Sequence, residues 1–353
     1  MSNKTVTEEL ISVKSLPKGP TFNVVALFAG CGGFSLGVKG GFNLFAGDNE
    51  LRLSKNPYKV VWSNEIEPTA VETYRANLGN MIVHKSITDV KASEIPACDL
   101  IIGGFPCQDF SISGKLAGLS SERGQLYKEM ARIIKAKKPK AFAAENVKNL
   151  LNVKLVDPAT GLTAFETITK EFEKCGYKIY HKLIKGPEYG LPQNRERVFI
   201  VGIRKDIKVD FKFPAPLFKK MTAYDAIDDL WDIKDYSQIL NHDQVSLAKF
   251  KPPSKIGNQG NYKLKSDKPS YTMRAEHHMN IQAHYRTHDP LDPENRAQWR
   301  RLTVREAARI QAFPDDYHFQ GTKFWAYKQV GNAVPPLFSW YISRAIYLAI
   351  HDK

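Results

Sequence analysis

Between residue 22 and about residue 203, short apolar runs of strand length alternate with stretches of helical character. NVVALF (23–28), KVVWSN (59–64), DLIIGG (99–104), AFAAEN (141–146) and RVFIVGI (197–203) are apolar and partly β-branched. Helices are predicted over Pro68 to Leu78, Arg123 to Ala136 and Leu162 to Cys175. Nearly continuous apolar strands that alternate with helices predict a parallel sheet covered on both faces. In such sheets ligands bind beyond the carboxyl ends of the strands, and the unusual residues of this chain fall there. The pattern lapses over 206–300, which is rich in Pro, Lys and Asp. Regularity returns at Thr303-Val-Arg-Glu306, a capping box that predicts a helix to about Ala312, ahead of Pro314. Pro335 and Pro336 suit the first turn of a further helix through PLFSWYISRAIYLAI. One α/β domain is expected, interrupted by an irregular module, with the chain after residue 301 folding back onto it. The long connection from Asn43 to Lys59 is read as a surface excursion in preference to a hairpin beside a bound ligand or partner.

Composition narrows the class. The chain has 353 residues, 42% hydrophobic and 25% charged, enough to bury a large core without disulfides or metals. Its four cysteines, Cys31, Cys98, Cys107 and Cys175, form no C-x-x-C pair and read as reduced thiols of a cytoplasmic protein. No apolar run approaches the length of a membrane span, and acids interrupt the N-terminal segment where a secretory leader is apolar. Neither a membrane nor export is expected. Lys and Arg exceed Asp and Glu by 51 to 37, a net charge of +14. The excess is spread along the chain, which fits a long face presented to a polyanion; a basic protein with no nucleic-acid role is the alternative.

The chemistry-bearing residues cluster at strand ends. FAGCGGFSLG (28–37) follows one strand and precedes a helix, and Gly30, Gly32 and Gly33 permit a tight turn close to a ligand. The spacing is not the G-x-G-x-x-G of dinucleotide enzymes. Glu65 ends the next strand, where an acid accepts hydrogen bonds from a ribose diol or caps the following helix. In GGFPCQDFSISGK (103–115), Cys107 leaves a buried strand at the ligand edge behind the stiff Pro106. An exposed thiol there is a candidate nucleophile, with an inert buried cysteine as the alternative. Glu145 in AFAAENVKNL is partly desolvated, which raises its pKa and suits it to act as an acid near neutral pH; the alternative is a helix cap. Arg195 and Arg197 in QNRER point to one side of a strand and suit phosphate or carbonyl oxygens, unless they mark a solvated strand edge. Asn332 in QVGNAVPP is placed in a tight turn before a helix. The histidines at 277, 278, 284 and 288 fit no standard zinc spacing, and no metal is expected.

Taken in order, FAGCGG, SNEIE, GGFPCQDFSISGK, ENVKNL, QNRERVFIVGIR, RRLTVREAARIQAFP and QVGNAVPP resemble the motifs of the DNA (cytosine-5)-methyltransferases of prokaryotic modification systems. The resemblance covers about 22–205 and 301–350. It implies a Rossmann-like α/β S-adenosylmethionine-dependent methyltransferase domain with a smaller, irregular target recognition domain. The implied boundaries are an N-terminal extension over 1–20, a catalytic domain of 21–205 plus 301–353, and a recognition domain of 206–300. The implied reaction is methyl transfer to carbon 5 of cytosine within a short specific site of double-stranded DNA. Carbon 5 is a poor nucleophile until a thiolate adds at carbon 6 and makes the ring an enamine. By resemblance Cys107 supplies the thiolate to a flipped-out base. Glu145 serves N3 and the exocyclic amine, and Arg197, with Arg195 nearby, serves O2 and the adjoining phosphate. The base that removes the carbon-5 proton is not evident; a water is expected.

The resemblance places the cofactor against Phe28, Gly30, Cys31, Gly32, Gly33, Glu65, Ile66, Ser86, Ile87, Pro106, Leu126, Asn332 and Val334. Ser86 departs from the family pattern, which has an acid facing the adenine amine; either Ser86 makes a weaker contact or Asp89 replaces it. DNA contacts are expected from Gln108, Ser111, Ser113 and Arg123 on a mobile loop that closes over the base, and from Thr272 and Arg274 in the recognition segment. GNQGN (257–261) is a further base-reading candidate. A monomer functionally linked to a cognate restriction endonuclease is expected. The rivals are an RNA cytosine-5 methyltransferase of the same fold, a catalytically inactive DNA-binding module and a nicotinamide dehydrogenase.

Overall fold

The computed structural model describes residues 16–45, 50–106, 125–152, 160–216, 220–231, 233, 236–243, 262–275, 284–286 and 300–353. Its centre is a seven-stranded sheet built from β1 (Phe22–Leu27), β4 (Tyr58–Glu65), β5 (Ile82–His84), β6 (Leu100–Gly103), β7 (Ala141–Val147), β8 (Tyr177–Lys185) and β9 (Glu196–Arg204), in the order β5-β4-β1-β6-β7-β9-β8. The helices that serve it are α1 (Gly33–Lys39), α2 (Pro68–Leu78), α3 (Leu126–Lys137), α4 (Ala164–Lys174), α5 (Val304–Ile310), α6 (Lys323–Asn332) and α7 (Pro336–Ile350).

Alternation along each strand divides the core between the two faces of the sheet. Val24 and Ala26 of β1 join Leu100, Ile102, Phe199 and the apolar sides of α1 and α7. Val25 and Leu27 join Ile101, Phe142, Ile200 and the apolar sides of α3 and α4. Both faces are covered, which is why the interior strands read as unbroken apolar runs.

The sheet is not wholly parallel. β1, β4, β5, β6 and β7 run parallel, whereas β9 is antiparallel to both β7 and β8. The link between β8 and β9 holds only a turn of 3₁₀ helix, Gly186–Tyr189, and without a crossover helix the chain returns in the opposite sense. β8 has no counterpart among the predicted strands; its outward Lys178 and Lys185 make it a half-exposed edge of the kind that charged residues protect.

The chain after residue 301 folds back as expected. Thr303 caps α5 with the reciprocal capping box: Glu306 N donates to Thr303 Oγ1 at 3.1 Å, and Thr303 N donates to Glu306 Oε2 at 2.7 Å. The helix stops at Ile310 rather than Ala312, which takes a left-handed φ of 63°. Between Asn43 and Lys59 the chain forms an antiparallel hairpin, β2 (Gly40–Leu44) with β3 (Leu51–Lys55), and not a loose surface excursion. Phe42, Leu44 and Leu53 are buried, and Trp340 Nε1 donates to Ser54 O at 2.9 Å, so the hairpin seals α7. α6 was not foreseen either, and Asn332 is its last residue rather than part of a free turn. Within 206–300 the described residues include one helical turn, Ala223–Ile227, and a small sheet of β10 (Tyr262–Lys263), β11 (His284–Arg286) and β12 (Arg300–Arg301). Among the described residues no helix is long and apolar enough to cross a membrane.

Candidate active site

β1 ends in a turn of unusual backbone. Phe28, Gly30 and Gly32 have φ of 52°, 55° and 98°, a region that costs a residue with a Cβ about 1–2 kcal/mol. The end of β4 holds this turn in place. Phe28 N donates to Asn64 Oδ1 at 3.3 Å, Ala29 N to Asn64 O at 2.9 Å, and Gly30 N to Glu65 Oε2 at 2.8 Å. The other oxygen of Glu65 accepts from Ile66 N and Glu67 N at 2.8 and 3.0 Å. Glu67, not Glu65, caps α2, so Glu65 remains at the strand end with its carboxylate anchored to backbone. The three glycines divide the work. A Cβ on Gly33 would stand 2.3 Å from Val334 O, and one on Gly32 2.5 Å from Leu78 Cδ1. Those two serve close packing within the protein. A Cβ on Gly30 would meet nothing within 4 Å, so Gly30 is the position that opens towards a ligand.

It opens into a cleft of about 1090 Å³ beyond the carboxyl ends of the parallel strands, at the top of the range for small-molecule sites. Twelve of the thirteen residues expected at the cofactor line it, namely Phe28, Gly30, Cys31, Gly33, Glu65, Ile66, Ser86, Ile87, Pro106, Leu126, Asn332 and Val334. Gly32, packed against Leu78, Tyr317 and Tyr74, is the exception. Ile66 is 64% exposed, an apolar side chain standing free on the cleft wall. Ser86 lines the cleft and Asp89 does not. Ser86 Oγ shares a hydrogen bond of 2.8 Å with Thr88 Oγ1.

The same cleft reaches a buried carboxylate. Glu145 lies on β7 opposite Phe199 of β9, two pairs along from Val147 and Arg197, so the Glu145 and Arg197 side chains share a face. Arg197 Nε meets Glu145 Oε1 at 2.8 Å, and both side chains line the cleft. Burial raises the Glu145 carboxyl above its ordinary value of 4.5, and the Arg197 and Arg195 charges only partly offset it. Next along β7, Asn146 Nδ2 donates to Phe105 O at 3.2 Å. This ties the strand to the segment that delivers Pro106 to the cleft. Cys107 follows it; Cys107, Gln108, Ser111, Ser113 and Arg123 lie outside the described residues, as does GNQGN (257–261). The other three thiols are poor nucleophiles: burial pushes Cys31 and Cys98 up to about 12 and raises Cys175 as well.

Arg195 and Arg197 differ in their partners. The Arg195 guanidinium is buried and donates to Met273 O, Gly331 O and Ala333 O at 3.0, 3.1 and 2.9 Å. It lines the cleft, yet its donors tie segment 270–274 to the turn after α6. Gln193 helps, accepting from Met273 N at 2.8 Å through Oε1. Thr272 Oγ1 donates to Asn194 O at 2.6 Å, and Arg274 is exposed, neither lining the cleft.

The profile of the C-5 cytosine-specific DNA methylases matches residues 22–347, nearly the whole chain. This chain belongs to that family. It is a DNA (cytosine-5)-methyltransferase. It is 35% identical over 340 residues to the type II methyltransferase M.NgoFVII of Neisseria gonorrhoeae, covering 89% of this chain and 83% of that protein. It is 33% identical over 355 residues to the type II methyltransferase M.FnuDI of Fusobacterium nucleatum, covering 94% and 95%. A prophage-encoded methyltransferase from E. coli has the same fold, with a TM-score of 0.67 at 24% identity over 94% of this chain and 99% of that one.

Asn146, Trp325, Lys328 and Gln329 are among the residues of this methyltransferase's cleft that the sequence did not single out. Asn146 was visible only as the neighbour of Glu145. Trp325, Lys328 and Gln329 sit on α6, whose mixed sequence KFWAYKQVGN offers little periodicity to read. An i, i+3, i+4 spacing running into Asn332 was the signal available.

Proposed function

We propose that this enzyme transfers a methyl group from S-adenosylmethionine to carbon 5 of cytosine within a short specific site of double-stranded DNA. The Cys107 thiolate adds to carbon 6 of a base flipped out of the duplex. One observation carries the reading: the Glu145–Arg197 pair faces the same cleft as the glycine turn and Glu65, and Pro106, the residue before Cys107, lines it too. A cofactor position, a carboxyl with raised pKa and the approach to a thiol thus converge on one space.

The residues present fit the cofactor. Glu65 is held by backbone amides with its oxygens at the strand end, suited to a ribose diol. Gly30 leaves open room, and Ile66 and Leu126 offer apolar surface to an adenine. When bound, S-adenosylmethionine supplies an electrophilic methyl group on sulfur. The protein's own groups prepare the acceptor. In its protonated form, which burial favours, Glu145 donates to N3 as the thiolate bonds to carbon 6, so that electron density gathers at carbon 5. Arg197 stabilises charge near O2 and orients Glu145. Arg195 acts beside them by fixing the 331–333 turn against the recognition segment. A water accepts the carbon-5 proton as the thiolate leaves.

The segment 206–300 reads the DNA in this proposal, with Thr272 and Arg274 facing bases and Gln108, Ser111, Ser113 and Arg123 closing over the flipped nucleotide. The catalytic part is then 21–205 with 301–353. The similarity to type II methyltransferases supports a modification role, protecting DNA in the cytoplasm against a cognate endonuclease. The test is a duplex carrying 5-fluorocytosine at the modified position, with cofactor present. Fluorine cannot leave as a proton does, so a denaturant-stable adduct at Cys107 is expected, and none with Cys107→Ser. Methylation of ordinary duplex DNA without such an adduct would overturn the scheme, as would faster transfer to RNA than to DNA.

A further inference from the structure

The sheet has a second charged end. The cleft lies beyond the carboxyl ends of the parallel strands; at the opposite end α3 stops, β7 begins and antiparallel β9 finishes. Three chain segments are tied together there. Arg204 Nη1 donates to Lys138 O at 2.6 Å, and Arg204 N to Lys140 O at 3.0 Å. Lys205 N donates to Gly176 O at 3.0 Å, and Tyr177 OH to Pro139 O at 2.7 Å. Residues 204–208, the link 138–140 and the start of β8 therefore form one surface.

Its charge is one-sided. Lys135, Lys137, Lys138, Lys205 and Lys208 make no ion pair among the described residues, and all but the half-buried Lys137 are exposed. The acids of this end are engaged elsewhere. Asp206 pairs with Arg204, Asp210 with Lys178 and Asp352 with Lys353, while Asp99 Oδ2 accepts from Asn23 N at 2.8 Å. Glu173 of α4 is exposed without an ion pair among the described residues, one negative charge against five positive. Cations in the last turn of a helix complement its dipole, which accounts for Lys135 and Lys137 at the end of α3. Lys138 goes further. It takes φ of 49° and ψ of 50°, a left-handed conformation that glycine adopts freely and a residue with a Cβ does not. A charge is kept where the backbone favours glycine. Lys205 and Lys208 follow a strand, so no helix dipole accounts for them.

We infer that this surface binds a second segment of duplex DNA, apart from the one presented to the cleft. Regularly spaced phosphates neutralise several exposed lysines at once, and release of their counterions drives the contact. Lysines meet phosphate as compact point charges and carry no base-reading fork, so the contact is independent of sequence. Duplex DNA is stiff over about 150 base pairs, so the stretch in the cleft does not curl round to the opposite end of the same domain. A different stretch reaches the surface, from the same long molecule or from another. Holding both keeps the enzyme on DNA while the cleft lets go, and gives it a route from one segment to the next. The spread of the +14 net charge along the chain agrees with two faces for a polyanion.

The test is a bridging assay. A short biotinylated duplex of random sequence is fixed to streptavidin beads, the whole chain is added, and a fluorescent duplex of the same length is offered. The wild type should carry the fluorescent duplex onto the beads, and less of it as salt rises from about 50 to 200 mM. The combined variant Lys135→Glu, Lys138→Glu, Lys205→Glu should cut the captured fluorescence about tenfold or more, while its own retention on the beads stays within about twofold. Its methyl transfer from tritiated S-adenosylmethionine to short DNA fragments should be unchanged. The corresponding triple arginine variant should bridge as the wild type does. Lys138→Gly, which suits the backbone, should weaken bridging without lowering the urea midpoint, and it decides the matter should the triple glutamate variant fail to fold. Light scattering gives the mass of each protein, since a dimer bridges through its two clefts. The inference is overturned by a wild type that does not bridge or bridges only as a dimer, by undiminished capture in the glutamate variant, or by an equal loss of retention. Capture of single-stranded RNA in preference to the duplex overturns it as well. None of these results touches the thiol chemistry, whose failure shows instead as a missing adduct at Cys107.

Discussion

Glu145 shows how opposing effects meet in one side chain. Burial penalises its charged form most strongly, and Arg197 and Arg195 recover only part of that cost, so its carboxyl titrates above 4.5. A raised value keeps the proton on Glu145 to higher pH, and its service as an acid is lost as pH rises through that value. Glu145→Gln is therefore expected to slow single-turnover methyl transfer by about 10²- to 10⁴-fold at neutral pH. The ratio of wild-type to variant rate should fall as pH increases, because the wild type then loses the proton the variant never had. A ratio that does not vary with pH, measured across the range where both proteins stay folded, would remove Glu145 as the acid. The carboxyl's location at a strand end, and its desolvation, were legible in AFAAEN. Its pairing with Arg197 was not, because that depends on which strand lies beside β7.

At the scale of elements, the contact between α1 and α7 joins the two parts of the catalytic fold. A Cβ on Gly37 would fall 2.1 Å from Pro336 O and 2.5 Å from Ser339 Cβ. The first of these is backbone at the start of α7, which cannot swing aside as a long side chain does. Gly37→Ala should therefore lower stability by about 1–3 kcal/mol, read as an earlier midpoint in urea unfolding. An unchanged midpoint would mean that the two helices separate at little cost. Gly37 was visible in the sequence as one of several glycines in FAGCGGFSLG. Its role belongs to packing across roughly three hundred residues of chain, which local pattern cannot carry. Likewise β8 escaped notice because an edge strand with one wet face has neither the apolar run of an interior strand nor a clean alternation.

Across the whole molecule, the irregular segment 206–300 and the C-terminal part after residue 301 meet at a buried charge cluster. Glu306 Oε1 accepts from Arg286 Nη1 at 2.9 Å and from Arg300 Nη2 at 2.7 Å. Trp231 lies against both guanidiniums at 4.9 and 4.3 Å. Burial alone would raise the Glu306 carboxyl; Arg300 and Arg286, with the Thr303 amide, overcome it and hold the group at about 2 instead of 4.5. A folded value below the unfolded one contributes stability above about 4.5 that is lost as pH falls towards 2. Glu306→Gln leaves two buried guanidiniums without their carboxylate and should destabilise the protein by about 3–5 kcal/mol at neutral pH. The deficit against wild type should shrink as the solution is acidified below 4.5. Thermal melts at several pH values check this, and a deficit constant with pH would contradict it. The sequence reading treated Thr303 and Glu306 as a capping box, which they are. That the same carboxylate also binds Arg286 and Arg300 required the tertiary contact.

The chain by itself determined the alternation of strands and helices, the capping box and the family, and all but one of the residues it assigned to the cofactor line the cleft. Each of these is local: a burial pattern, a cap or a turn repeats within a few residues, and a chemical motif keeps its spacing wherever the chain goes. Tertiary structure alone decided that β9 inserts antiparallel between β7 and β8, which brings Arg197 to Glu145. It also set Arg195 against segment 270–274, and turned an unremarked helix with Lys328 and Gln329 towards the cleft. These outcomes depend on which distant surfaces bury one another, a competition among whole-chain packings that no short stretch of residues encodes.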